Sequence, residues 1–213
     1  MKLYSQYFFP RLLDWTMASS AIAQYRQMLL KDVIGDVLEI GFGTGLNLAY
    51  YPETIKSLTT VDVNIGMSHL AKKRIANAPF SVDSKVLNGD NLPFAEESFD
   101  TVVSTWTLCS IANIDQALQE IKRVLKPEGK FFFIEHGLSE NLKVQVWQNR
   151  LTPLQKIIGD GCHLNRNIEA LISPYFSFLD LETFKLETEP EIIGYMYKGV
   201  AIKRENHNLS IPN

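Results

Sequence analysis

Three glycines at alternate positions, Gly41, Gly43 and Gly45, follow directly on a short apolar run at residues 37–40. Because glycine has no Cβ, such a turn lets backbone N–H groups and a helix N-terminus approach a nucleotide-like ligand. Asp62 ends the next apolar run, where a carboxylate can accept hydrogen bonds from both hydroxyls of an adenosine ribose. This order of elements predicts a site for an adenosine-containing cofactor: a strand, a glycine turn, a helix, and a second strand that ends in an acid.

Apolar runs and helical spacings alternate regularly around this turn. The predicted strands cover residues 37–40, 58–63, 81–87, 99–107 and 130–134. The predicted helices between them cover residues 45–51, 66–77 and 114–125. Residues 138–175 read as helical and irregular, and residues 179–186 and 195–203 predict a hairpin. The expected fold is α/β: a doubly wound, mostly parallel seven-stranded sheet with helices on both faces and a C-terminal antiparallel hairpin.

The pattern predicts one domain over residues 36–203, preceded by a helical leader at residues 1–35 and followed by a polar tail at residues 204–213. The leader is rich in aromatic and aliphatic residues at helical spacing. We favour a leader that packs on the sheet and forms a lid over the site. Contact between the leader and lipid is the less favoured alternative.

Composition excludes several classes of function. The 213 residues are 46% hydrophobic and 21% charged, with a formal net charge of −3, as in ordinary globular domains. No dense block of lysine and arginine is present, so nucleic acid is not an expected partner. Cys109 and Cys162 form no CxxC pair or ligand cluster in sequence, so no metal site is predicted and a reducing compartment is favoured. Without a secretory pattern or an apolar run of membrane-spanning length, we expect a cytoplasmic protein.

Residues 39–45, with the sequence EIGFGTG, resemble the first motif of class I S-adenosylmethionine-dependent methyltransferases. That motif has glycines at alternate positions and an acid two places before the first. Dinucleotide oxidoreductases have a GxGxxG turn instead, whose third glycine would fall at Leu46. Residues 88–90, 99–102 and 125–129 resemble later motifs of the same family in the same order. Two positions depart from the family pattern. Phe42 stands where a smaller residue is usual, and Glu128 stands where a glycine is usual.

The resemblance implies S-adenosylmethionine as the cofactor and assigns roles around it. Asp62 corresponds to the ribose-binding acid, Asp90 faces the adenine amino group and Leu92 packs on the ring. Glu39 is expected to orient the turn and the amino-acid end of the cofactor. The residues expected to bind the cofactor are Glu39, Gly41, Gly43, Gly45, Asn47, Asp62, Val63, Met67, Asp90, Asn91, Leu92, Thr105 and Trp106.

The second half of the chain resembles one branch of the family. Five segments are similar to a branch that includes membrane-associated alkyl-thiol methyltransferases. They are residues 107–110, 135–136, 160–166 and 194–195, and Trp147. Ubiquinone/menaquinone and phospholipid methyltransferases are near relatives of it. This resemblance implies a small, partly apolar acceptor, with a thiol as one candidate and a quinone or a phospholipid as alternatives. A non-catalytic cofactor-binding module is a further alternative, and the protein is expected to be a monomer or a homodimer.

Methyl transfer from a sulfonium is an in-line displacement, so the protein mainly aligns the acceptor and excludes water. His136 is the first candidate for acid–base help, because it follows a strand at the carboxyl edge of the sheet. The alternative is a buried polar pair of Glu135 and His136 that fixes the local loop. Asp160 and His163 are second candidates, for which a loop-bracing role is equally compatible with the sequence.

Overall fold

The structure is a computed structural model that describes residues 3–204. Its centre is one seven-stranded sheet with the strand order β3-β2-β1-β4-β5-β7-β6. The strands are β1 Asp36–Ile40, β2 Ser57–Asp62, β3 Val82–Val86, β4 Phe99–Thr105, β5 Leu125–His136, β6 Phe176–Lys185 and β7 Tyr195–Lys203. Strands β1 to β5 are parallel to one another, and β7 pairs antiparallel with both β5 and β6. The predicted fold class is confirmed, including the C-terminal hairpin at the sheet edge.

Seven α-helices accompany the sheet within residues 3–204. They are α1 Phe9–Met17, α2 Ser20–Leu30, α3 Ile65–Ala76, α4 Ile114–Val124, α5 Leu142–Ile158, α6 Ile168–Ile172 and α7 Glu191–Gly194. A π-helical turn, Tyr4–Phe8, precedes α1, and a 3₁₀ turn, Leu46–Ala49, follows β1. None of the helices in this range is both long and apolar enough to cross a membrane. The predicted polar tail lies outside the described residues except for Arg204.

Alternation along β5 explains why helices cover both faces of the sheet. Phe131 and Phe133 are fully buried in the core that includes α4 and α6, whereas Phe132 and Ile134 belong to the core that includes α2 and α3. Successive side chains of a strand point to opposite faces, so an uninterrupted apolar strand must be covered on both sides.

Three element boundaries differ from the prediction for reasons that the structure shows. The helix predicted for residues 45–51 is only the 3₁₀ turn Leu46–Ala49, because the amide of Asn47 is bonded in the core and Pro52 disfavours helical geometry at the residue before it. β5 begins at Leu125 instead of residue 130, because Leu125 pairs with Phe99 before the register shifts. Strand β4 ends at Thr105, since Trp106 has a positive φ of 52°.

The strand order reverses between β1 and β4, and this switch point opens a crevice at the carboxyl edge of the sheet. The leader lies beside this edge. Its Tyr4 hydroxyl donates to the carbonyl of Ile158 at 2.8 Å, and Asn64 Nδ2 donates to the carbonyl of Ser5 at 2.8 Å. Leu30 of α2 is fully buried on the sheet, whereas Trp15 of α1 is 78% exposed. The second half of the leader therefore packs as core, and the first half bridges β2 and α5 across the crevice.

Candidate functional site

The glycine turn has the backbone geometry that its sequence requires. Gly41, Gly43 and Gly45 have φ values of +75°, +58° and +79°, in the left-handed region that glycine tolerates without strain. A Cβ on Gly41 would overlap the side chain of Thr107, so this glycine allows the loop after β4 to lie against the turn. A Cβ on Gly43 would meet no heavy atom closer than 4.0 Å. The turn therefore faces open space at Gly43, where a ligand could approach the backbone.

Asp62 fastens this turn to the end of β2. One carboxylate oxygen accepts from the N–H of Gly43 at 2.7 Å, and the other accepts from the N–H of Asn64 at 2.7 Å. Burial raises the pKa of the carboxyl, although these two N–H groups act in the opposite direction. Val63 beside it is 65% exposed, and Met67 in α3 is buried. Each carboxylate oxygen keeps accepting capacity, so Asp62 could also bind hydroxyl groups of a ligand.

A buried polar network lies beneath the turn and centres on Glu39. The Glu39 carboxylate accepts from Asn47 Nδ2 at 2.8 Å and from the Tyr51 hydroxyl at 2.8 Å. Asn47 Nδ2 also donates to Thr105 Oγ1 at 3.0 Å, which joins the ends of β1 and β4. Burial raises the pKa of Glu39 to about 7, while the hydrogen bonds from Tyr51 and Asn47 act against it.

Arg26 is a functional candidate that sequence reasoning missed. Its Nε donates to Asn47 Oδ1 at 2.9 Å, its guanidinium lies 4.7 Å from the centre of the Trp106 ring, and it is only 5% exposed. Burial lowers its pKa to about 10, so the group remains cationic at neutral pH. The signal in the sequence was a cation at helical spacing with Ile22 and Leu30, on the apolar face of α2. A buried cation beside the turn could bind a carboxylate.

The loop at residues 88–92 reaches the same edge. A Cβ on Gly89 would lie 2.8 Å from the Ile40 side chain, so the loop lies closely against the end of β1. The N–H of Leu92 donates to the Glu120 carboxylate at 2.9 Å, and Arg123 donates to the carbonyl of Leu92 at 2.9 Å. Leu92 itself is buried in the core around α4. The ion pair of Glu120 and Arg123 on α4 therefore fixes the loop that carries Asp90 and Asn91.

Glu135, at the end of β5, holds the turn that follows β4. Its fully buried carboxylate accepts from the N–H groups of Thr107 at 2.9 Å, Leu108 at 3.0 Å and Cys109 at 3.5 Å. Burial raises its pKa, and the N–H groups of Thr107 and Leu108 oppose that shift. The carboxylate thus accepts the hydrogen bonds that these N–H groups would otherwise make with water.

His136 lies in a buried cluster with both cysteines. Its Nε2 is 3.2 Å from Cys162 Sγ, and the two sulfurs and a ring nitrogen all lie within 4.8 Å of one another. A hydrogen bond from Cys109 lowers the pKa of Cys162 to about 4; burial opposes this shift, and His136 supports it. The pKa of His136 is raised: burial alone would lower it, but the hydrogen bond with Cys162 and the charges of Cys162 and Glu135 together outweigh that effect.

The cluster could not be read from the sequence, because its cysteines come together only when the loop after α5 meets the turn after β4. The N–H of His163 donates to the carbonyl of Cys109 at 3.0 Å, and a ring nitrogen of His163 lies 3.1 Å from the same oxygen. Arg166 donates to the carbonyls of Leu108 and Ile111. Asp160, at a positive φ of 48°, instead accepts from Ser5 Oγ of the leader at 2.7 Å.

Known proteins match this arrangement. Residues 38–133 match the family described as methyltransferase domain. The rat thiol S-methyltransferase TMT1B is 38% identical over an alignment of 172 residues that covers 76% of this chain and 70% of the relative. The chain belongs to the class I S-adenosylmethionine-dependent methyltransferases. Human thiol S-methyltransferase TMT1A is 35% identical over 78% of this methyltransferase and 70% of its own length. A methyltransferase from Haloferax volcanii, solved with its activator Trm112, shares the fold with a TM-score of 0.71 at 17% identity, covering 96% of this chain and 97% of that one.

The methyl donor of the methyltransferase is therefore S-adenosylmethionine, as the glycine spacing predicted. The residues at the crevice fit this cofactor, because the turn faces open space at Gly43 and a buried cation, Arg26, lies near the turn. When bound, the cofactor supplies an electrophilic methyl group on a sulfonium, and the protein positions an acceptor against it.

Glu39→Gln tests the buried network. Because burial raises the folded-state pKa of Glu39 from 4.5 to about 7, the native state holds a proton that the unfolded chain releases. The stabilisation by this proton is fully present below pH 4.5 and is lost as pH rises through 7. In urea unfolding, the free energy of unfolding of the wild type should fall by up to about 3 kcal/mol more than that of Glu39→Gln between pH 5 and 8. Glu53→Gln, at an exposed position, should follow the wild type. Parallel pH profiles for the wild type and Glu39→Gln would contradict the assignment.

Proposed function

We propose that this methyltransferase transfers the methyl group of S-adenosylmethionine to the sulfur of a small, partly apolar thiol. The observation that carries the proposal is the 38% identity with a thiol S-methyltransferase over 76% of the chain. That alignment is longer than the segment at residues 38–133 that matches the methyltransferase domain. The similarity therefore extends beyond the cofactor-binding half, into parts of the chain that can select the acceptor.

In the proposed complex the cofactor lies along the carboxyl edge of the sheet. Asp62 accepts hydrogen bonds from the two ribose hydroxyls, which is supported by its position beside the open face of Gly43. The adenine lies between Val63 and the loop with Asp90, Asn91 and Leu92. The exposed Val63 side chain offers an apolar surface for the ring.

The amino-acid end of the cofactor is proposed to lie over the polar network. Its carboxylate pairs with Arg26, and its ammonium group is oriented by the side of the network that contains Glu39 and Asn47. Thr105 and Trp106, at the end of β4, border the methyl group, and Met67 closes the apolar side near α3. The hydrogen bonds that hold Asn47 to Glu39 and Thr105 support this arrangement, because they keep the side chains in place before binding.

The acceptor is proposed to enter beside Trp106 and the cluster that contains His136. A free thiol has a pKa of about 8.5, so it needs only modest help to lose its proton near neutral pH. His136 is the residue that we propose to assist this step. Asp160 and His163 contribute by holding the leader and the turn at residues 107–110 in place, and residues 1–35 act as a lid that excludes water.

The surroundings of the protein are also part of the proposal. Cys109 and Cys162 are close together yet unbridged, which supports a reducing compartment such as the cytoplasm. The acceptor is a small molecule, and nucleic acid is not a proposed partner. We propose a monomer or a homodimer. Contact of the leader with lipid stays the less favoured alternative, although Phe8 and Trp15 are largely exposed.

Asp62→Ala tests the cofactor arrangement. Calorimetric titration with S-adenosylmethionine should show an affinity at least about tenfold lower than in the wild type, because two ribose hydroxyls lose their acceptor. Asp83→Ala changes an exposed aspartate on β3 and should bind the cofactor as the wild type does. Since Asp62 also holds the Gly43 N–H, thermal unfolding must show that the variant is folded. Unchanged affinity in folded Asp62→Ala would rule out the ribose contact.

A radiolabelled-methyl assay tests the acceptor. Label should pass from S-adenosylmethionine to ethanethiol and to longer alkyl thiols, but not to the alcohols and amines with the same carbon skeletons. His136→Ala should lower kcat by at least about tenfold, as expected when one group that assists proton loss is removed. His69→Ala, at an exposed position on α3, should not change it. Transfer to a quinol or to an amine without transfer to any thiol would refute the proposed acceptor class.

A further inference from the structure

Cys109 and Cys162 lie beside His136 in a buried cluster, and their two thiols have no part in the methyl transfer proposed above. Two sulfurs and one imidazole nitrogen lie within 4.8 Å of one another, and the three residues are at most 8% exposed. They come from three separate segments: the turn after β4, the end of β5 and the loop after α5. Thiolate and imidazole are the ligands that zinc prefers in proteins.

We propose that Cys109, His136 and Cys162 bind one Zn²⁺ ion, whose fourth position takes the sulfur of the acceptor. This inference rests on the proposed function, since it names the means by which the acceptor thiol is held and deprotonated. His136 then assists the reaction as a ligand of the ion. Zinc sites that take part in catalysis keep three protein ligands and one open position, which is the number of ligands found here.

The separation of His136 Nε2 and Cys162 Sγ is compatible with an ion after a small adjustment. Zinc–sulfur and zinc–nitrogen bonds of about 2.3 Å and 2.1 Å at a tetrahedral angle separate the two ligand atoms by about 3.6 Å. His136 Nε2 and Cys162 Sγ are 3.2 Å apart, so they need to separate by a few tenths of an ångström. Cys162 is not in a disulfide, so its sulfur is available as a ligand.

Groups around the cluster already act as the outer support that metal sites need. Gln155 Nε2 donates to Cys162 Sγ at 3.6 Å, and Ser110 Oγ lies 3.5 Å from Cys109 Sγ. Hydrogen bonds of this kind orient the ligands and tune the charge on the thiolates. Glu135 is the nearby carboxylate, but its oxygens are engaged by the N–H groups of residues 107–109. Among residues 3–204, the cluster therefore offers no fourth ligand from a histidine, cysteine or acid.

The position of the cluster relative to the cofactor supports a role in methyl transfer. Cys109 is in the turn that begins at Trp106, and Gly41 of the glycine turn packs against Thr107 of the same turn. His136 and Cys162 retain 7% and 8% exposure, whereas Cys109 retains 2%. We place the open position of the ion on the side of His136 and Cys162, which are the two less deeply buried ligands.

The chemistry balances without a further reagent. The acceptor thiol binds through sulfur and releases its proton to solvent, because coordination to zinc deprotonates a thiol. A sulfur lone pair then forms the new bond to the methyl carbon. The bond between that carbon and the sulfonium breaks, and its electron pair returns to the cofactor sulfur. The products are a thioether, which is a weaker ligand and leaves the ion, and the demethylated cofactor.

Metal content is the first test. The full chain is expressed with added zinc, purified under reducing conditions and analysed by inductively coupled plasma mass spectrometry. We expect about one zinc per chain in the wild type and less than about a tenth of that in Cys109→Ser and Cys162→Ser, because each removes one of three ligands. His69→Ala, which changes an exposed histidine, should keep its zinc. Folded wild type without stoichiometric zinc, or a Cys109–Cys162 disulfide that added zinc does not prevent, would overturn the site.

Cobalt(II) gives a second measurement, which does not depend on whether the cysteine variants fold. Wild type loaded with cobalt should show thiolate-to-cobalt absorption, and ethanethiol should change its visible bands whereas ethanol should not. Chelation should abolish thiol methylation while the affinity for S-adenosylmethionine is unchanged, and zinc should restore it. Cobalt bands that ethanethiol leaves unchanged would refute the acceptor position. A metal-free enzyme that methylates thiols would overturn the zinc site and leave the proposed function intact, whereas a zinc-loaded enzyme that methylates only another acceptor class would overturn both.

Discussion

The site depends on two buried glutamates at the carboxyl ends of the strands and on the loop groups that donate hydrogen bonds to them. The Glu39 carboxylate accepts hydrogen bonds from the network beneath the glycine turn. The Glu135 carboxylate accepts hydrogen bonds from three consecutive N–H groups after β4. A buried carboxylate without partners costs several kcal/mol, so each loop must keep the conformation that supplies them. The two glutamates therefore hold the loops on either side of the crevice, and we propose that the methyl donor binds between those loops.

The same constraint explains why the leader is close to the site. Arg26 extends from α2 into the core and bonds Asn47, so α2 is attached to the same network that fixes the glycine turn. Further toward the N-terminus, Ser5 contacts both Asn64 and Asp160, which come from opposite sides of the crevice. Movement of the first half of the leader would break these contacts while α2 stays packed on the sheet. A lid over the crevice is thus compatible with a rigid scaffold beneath it.

Much of the fold follows from local sequence. Apolar runs that alternate with helical spacing specify a parallel sheet, and the position of Gly45 distinguishes a methyl donor from a dinucleotide. Arg26 was overlooked because a cation among apolar residues in a leader is usually solvated, and only the packing of α2 shows that it is buried. The cluster of Cys109, His136 and Cys162 depends on how the loop after α5 docks. No short-range pattern encodes that docking, since its bonds join residues far apart in the chain.

We propose that the cofactor lies across the carboxyl edge of the sheet, between the glycine turn and the loop at residues 88–92. A crystal structure of the full chain with S-adenosylhomocysteine measures this directly. Both ribose hydroxyls should lie about 3 Å from the Asp62 carboxylate, and the cofactor carboxylate should lie beside Arg26. A ligand bound elsewhere, or a ribose turned away from Asp62 toward solvent, would contradict it.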